Sequence, residues 1–132
     1  MRYLTSKTGG NIHDNGTIEI TSNSIWNNNN NHHPKKLVEY DKDSYYDSNC
    51  NDINTYIRFD FKDKKVQVES YTIQSIGSGP NYCHLRNWVV EVPNDCQKWE
   101  IIDQHSNDPS LNGSNIISTF QTNKTDSFYH FI

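Results

Sequence analysis

Three aspartates, Asp41, Asp43 and Asp47, fall within seven residues in the stretch EYDKDSYYDSN. Hard cations such as calcium need several oxygen ligands, and closely spaced carboxylates with loop carbonyls can supply them. A solvated acidic loop has the same composition. A second set of side chains suits a different chemistry. Sugar recognition needs a flat ring against the C–H face of a pyranose and a few fixed polar groups, and Trp26, His33, Tyr45, Tyr46 and Arg86 offer both. Tyrosine and tryptophan also anchor protein interfaces, so the same set fits a protein partner.

Catalytic chemistry is poorly served. Cys83 and His84 are a nucleophile and a base in name, yet sequence neighbours are badly oriented for proton transfer and no third group can be named to orient the base. His32 and His33 are adjacent, and adjacent side chains of an extended chain point to opposite faces, which keeps them from sharing a metal. With His84, His105 and His130 they read as loop histidines. The paired carboxylates of a glycoside hydrolase cannot be assembled without forcing distant residues together. A non-catalytic binding module is the expectation.

The elements that must position these groups are extended. No window of eleven or more residues carries apolar positions at helical spacing, whereas short alternating runs bounded by Asn, Asp, Gly and Ser recur throughout. GTIEITS places Ile18 and Ile20 on one face. TYIRFDF points Ile57, Phe59 and Phe61 inward and turns Arg58 and Asp60 to water. In VQVESYTIQSI the inward set begins with Val66 and Val68 and then changes phase to Tyr71 and Ile73, as at a bulge or a bend between sheets. NWVVEVP offers Trp88, Val90 and Val92, and Pro93 ends that strand by removing a ladder donor. WEIID, NIISTF and FYHFI bring the count to seven or eight strands, which favours an all-β sandwich or jelly roll. The run WNNNNNHHP reads as a loop, because Asn prefers turns and left-handed backbone.

At 132 residues one module with one core is expected, spanning residues 1–132. The hydrophobic fraction is only 33%, but 12% of residues are aromatic, which separates the chain from disordered ones. A net charge of −4 without any cluster of Lys and Arg argues against nucleic acid as a partner. No stretch has the length of a membrane span or the apolar centre of a signal peptide. The three cysteines, Cys50, Cys83 and Cys96, are too few for a disulfide scaffold and lack metal-site spacing, so free thiols in a cytoplasmic setting are expected.

Taken in order, YLTSKTGGNIHDNGTIEITSNS, PKKLVEYDKDSYYDSN, YIRFDFKDKKVQVESYTIQS, HLRNWVVEVPNDCQKWEIIDQHSN and LNGSNIISTF cover nearly the whole chain. The ordered set resembles the discoidin-like, coagulation factor V/VIII type C domains of the galactose-binding-like superfamily, most of all their protist intracellular group. The resemblance implies a jelly-roll β-sandwich with Trp88 and Trp99 as core or rim residues and a turn at Val92 to Cys96 between them. It places the loops after the first strand and around Tyr45 and Tyr46 at the ligand-binding end, and a structural calcium at Asp41 and Asp43. Members continue past a segment like FYHFI with one more strand, whereas this chain stops at Ile132. A sandwich lacking its last C-terminal strand has an open edge, so a truncated product or a partner adding a strand is expected. The function expected first is therefore a protein-interaction or scaffold domain, since free glycans are scarce inside cells, with a carbohydrate-binding module as the alternative.

Overall fold

The computed structural model describes every residue except 1, 29, 40–43, 49–53, 78–83, 94–97 and 124–125. The chain separates into two compact units, residues 1–64 and 65–132. Among the described residues there are six β-strands and one short α-helix, in keeping with the all-β expectation. The described strands number six instead of seven or eight, because FYHFI forms no strand; its Tyr129 makes an isolated antiparallel bridge to Val66.

The first unit opens with α1 (Arg2–Thr8), which the sequence reading did not foresee. Its seven residues make less than two turns, too few for apolar periodicity to show. Gly9 (φ 72°) and Gly10 (φ 66°) end it in the left-handed region, where a side chain would be strained. Strands β1 (Glu19–Ser22) and β2 (Ile57–Asp60) pair antiparallel with Ile20 opposite Phe59. The alternation read from the sequence holds: Ile18, Ile20 and Phe61 are buried, whereas Glu19, Thr21 and Arg58 are exposed. Asp60 is only half-exposed, because its carboxylate accepts the Lys62 main-chain N–H at 2.8 Å and the Lys62 ammonium at 3.0 Å.

The asparagine-rich run is more ordered than a plain loop. It winds into short 3₁₀ turns at Trp26–Asn28 and Asn30–His32, followed by Pro34–Val38. Asn27 (φ 51°) and Asn28 (φ 50°) take the left-handed conformation that Asn tolerates better than most residues. His33 caps the third turn: its backbone is extended, its Nδ1 accepts the Lys35 N–H at 3.2 Å, and Pro34 opens the helix where no N–H is needed. This turn packs against β1 and buries Pro34 and Val38.

In the second unit β3 (Ser70–Gln74) pairs with β6 (Ile117–Gln121), and β4 (Trp88–Pro93) pairs with β5 (Trp99–His105), both antiparallel. The phase change read between Val68 and Tyr71 is present. Val66 exchanges main-chain bonds of 2.8 Å with Tyr129, after which Thr122 takes the Val68 carbonyl at 2.7 Å and β3 begins with the opposite face inward. A second irregularity lies in the hairpin: Val90 faces Asp103 while Glu91 faces Ile101, so Ile102 is the extra residue of a β-bulge. Ile102 is buried with Val68, Val92 and Tyr129, and Val66, Val90 and Ile132 pack around them. Trp99 stands at the rim, 41% exposed. The turn residues Asn94, Asp95 and Cys96 lie outside the described residues, as do Cys50 and Cys83.

Candidate functional site

Three side chains of the first unit meet in a short aromatic row. The His32 ring stands edge-on to Trp26 with centroids 5.1 Å apart and tilts against Tyr45 at the same separation. The outer rings are open, Trp26 being 41% and Tyr45 37% exposed, while His32 between them is only 8% exposed. Its Nδ1 is buried without a hydrogen-bond partner. A buried polar atom left unpaired costs roughly 1–3 kcal/mol, so a native structure that keeps one invites a functional reason.

The segment carrying Tyr45 is held at three points. The Ser44 hydroxyl donates to Glu39 Oε2 at 2.6 Å, just beyond the Pro34–Val38 turn. Tyr46 donates its hydroxyl to the Ser24 carbonyl at 2.7 Å and lies 2.7 Å from Ser22 Oγ at the end of β1. The Asp47 carbonyl accepts the Trp26 N–H at 2.9 Å. Tyr46 and Asp47 thus fasten the chain while Tyr45, between two anchors, presents its ring outward. Preorganised rings lose little freedom when a ligand arrives. Burial pushes the Glu39 carboxyl upward, but the bonds from Ser44 and Lys36 outweigh it and hold the group ionised below its ordinary range. The anchor is therefore charged at neutral pH.

Of the side chains expected to bind a ligand, Trp26 and Tyr45 are brought together around His32, and Tyr46 is their support. His33 spends its Nδ1 on the Lys35 cap and touches the His13 ring at 5.5 Å. Arg86 belongs to the second unit, where its carbonyl accepts the Asp108 N–H at 2.9 Å. The metal candidates Asp41 and Asp43 lie outside the described residues, and among the described ones no group of three or more His, Cys, Asp or Glu is placed to hold a metal ion. Sequence alone makes His32 a loop histidine, and the structure corrects this by burying its ring between Trp26 and Tyr45. The signal that could have raised it is the i, i+6 spacing from Trp26 across a run of Asn able to fold back on itself.

The second unit holds a polar network that is fully occupied. Trp88 donates its indole N–H to the Tyr71 hydroxyl at 2.7 Å, Tyr71 donates to Asp103 Oδ2 at 2.6 Å, and the same oxygen meets His105 Nε2 at 3.0 Å. His105 Nδ1 meets Asp108 Oδ2 at 2.6 Å. The imidazole also stacks on Trp88 with centroids 4.1 Å apart, and Phe120 closes over both rings edge-on. His105 is thus a half-buried ion-pair member instead of an exposed loop residue. Burial opposes its charge, but the bonds to Asp108 and Asp103 prevail and raise its pKa. With both ring nitrogens facing carboxylates, this histidine has neither a lone pair nor a proton to offer a substrate.

No family model matches the chain, and neither does any curated protein. Solved structures do. CpGH89CBM32-5 from Clostridium perfringens, in complex with GalNAc-β-1,3-galactose, superposes with a TM-score of 0.66 at 13% identity, covering 88% of this chain and 81% of that one. The family 32 carbohydrate-binding module of C. perfringens NanJ, in complex with galactose, gives 0.64 at 12% identity over 88% and 79%. The fold is a galactose-binding-like β-sandwich. The jelly-roll expectation is met at the level of the fold, while no family model stands behind the narrower resemblance to discoidin-like domains of the protist group. At such identities the shared property of this galactose-binding-like fold is its backbone. No helix among the described residues is long and apolar enough to cross a membrane.

Proposed function

We propose that the protein is a non-catalytic carbohydrate-binding module that takes a galactose-type sugar on Trp26, His32 and Tyr45. The observation that carries the reading is a row of two half-open aromatic rings, Trp26 and Tyr45, packed on either side of His32. In galactose and GalNAc the axial O4 leaves one face with contiguous C–H groups, which an indole or phenol ring covers, while a hydroxyl on the edge needs a polar partner such as an imidazole nitrogen. Fold likeness to two modules solved with such sugars supports this reading above the protein-interaction or scaffold role expected from the sequence.

Calorimetric titration with GalNAc-β-1,3-galactose and with galactose, against glucose as a control, tests it. Saturable binding is expected, and Trp26→Ala is expected to weaken it by about 30-fold or more, the loss typical of a central aromatic anchor. Because the Trp26 ring is half-open at the surface, the melting temperature of the variant should stay near that of the wild type. Absence of saturable binding to both galactosides, or wild-type affinity retained in both Trp26→Ala and Tyr45→Ala, overturns the proposal.

A further inference from the structure

Two histidines beside the aromatic row use the same atom in the same way. His13 Nδ1 accepts the Ile20 main-chain N–H at 3.0 Å, and His33 Nδ1 accepts the Lys35 N–H at 3.2 Å. A neutral imidazole that accepts at Nδ1 carries its proton on Nε2. An imidazolium donates from both nitrogens and accepts from neither. Protonating His33 therefore removes the cap of the Pro34–Val38 turn and sets an N–H⁺ against an N–H.

The surroundings reinforce this. The His33 ring lies 5.5 Å from His13, so a second positive ring would be close by. The charged groups facing the pair are Lys35, from the turn that His33 caps, and Asp14, from the segment of His13; these two are bonded to each other at 3.1 Å and largely cancel. Burial, then His13 and Lys35, lower the His33 pKa against the weaker pull of Asp14. The sign follows directly. A histidine with a depressed folded pKa binds more protons when unfolded, so its contribution is present above about pH 6.5 and is lost as pH falls through the folded value.

What the cap holds is the proposed binding row. His33 is covalently next to His32, whose ring stands between Trp26 and Tyr45. The far end of the capped turn carries Glu39, which anchors Ser44 next to Tyr45. Both ends of the turn thus lead to the aromatic row. The Nδ1 lone pairs taken by main-chain donors also leave Nε2 protonated on both rings, which makes the pair a poor metal site.

We propose that the His33 cap makes the aromatic row acid-sensitive, so that ligand bound at neutral pH is released as the medium acidifies. The inference rests on the sugar-binding reading for its output, while the switch itself resides in the His33 to Lys35 bond. His33→Asn supplies the decisive variant, because Asn is a good N-cap acceptor that does not titrate.

Affinity for GalNAc-β-1,3-galactose is measured in the full chain at about pH 7.5 and again below the His33 ring titration, located by NMR on the same protein. Wild type is expected to lose about fivefold or more across that interval, while His33→Asn loses less than about twofold. His33→Ala, with no cap at either pH, is expected to bind weakly and without pH dependence. Parallel losses in wild type and His33→Asn, or a flat wild-type profile, overturn the proposal. Should the sugar fail to bind at any pH, the switch is still read without ligand from the Lys35 amide by nitrogen-15 NMR. Its proton should lose exchange protection in step with the His33 ring titration, and a Lys35 amide unmoved through that titration sinks the switch independently of the sugar reading.

Discussion

Asp103→Ala is expected to lower the free energy of unfolding by about 2–3 kcal/mol, as removal of a shared acceptor strands several partly buried donors. One carboxylate takes the Tyr71 hydroxyl, meets His105 Nε2 and accepts the Gln104 main-chain N–H at 2.9 Å. Alanine leaves Tyr71 and His105 without that acceptor between two sheets, and Trp88 is bonded to the same Tyr71 hydroxyl. Asp103→Asn keeps the shape and one acceptor oxygen, so it should lose less. The deficit should depend on pH in a defined way. Burial pushes the Asp103 carboxyl upward, yet bonds from Tyr71 and His105 override it and hold the pKa below its ordinary value. Asp108 is held down by Ser110 and His105. Their contributions are present above about pH 4 and lost as pH falls through the depressed values, whereas that of His105, whose folded pKa is raised, is complete below about pH 6.5 and lost as pH rises through it. Wild type should therefore exceed Asp103→Ala most between about pH 4 and pH 7. Chemical denaturation across that range measures the difference, and a variant as stable as wild type near pH 6 contradicts the network.

An effect of similar size comes from two consecutive isoleucines that differ only in direction. Ile102 is 1% exposed against Val68, Val92 and Tyr129, whereas Ile101 is 46% exposed. Ile102→Ala removes three buried carbons and leaves a cavity, which costs about 3 kcal/mol, while Ile101→Ala should stay within about 1 kcal/mol. Equal losses in a urea titration of the two variants would show that the hairpin does not face its core in this way.

Much of this architecture can be read in the residues. Alternation in Ile18, Ile20, Ile57, Phe59 and Phe61 survives because β-structure reports its buried face every second residue. The phase change after Val68 was visible because apolar residues fell out of step on both sides of it. The bulge in β5 was not, since in WEIID the consecutive Ile101 and Ile102 fit either parity and only pairing with Val90 and Glu91 chooses between them. The helix Arg2–Thr8 is too short to show a period, and its boundary is set by two left-handed glycines. At the site, Trp26 and Tyr45 stand out by ring chemistry alone. His32 did not, because its importance arises from 3₁₀ turns that fold an asparagine run back on itself, and left-handed Asn geometry is a tolerance rather than a command. The ion pairs of His105 are local, but the Tyr71 hydroxyl that ties Asp103 into the network comes from another sheet, 32 positions away.

The extra residue in β5 gives that strand a property no substitution shares. Before it, odd-numbered side chains look outward, as Trp99 and Ile101 do; after it, odd-numbered Asp103 and His105 look inward. Deleting Ile102 would close the bulge and let Asp103 follow Ile101 on a regular ladder, so the charged pair would keep its inward aim while the core lost the isoleucine that the extra position supplies.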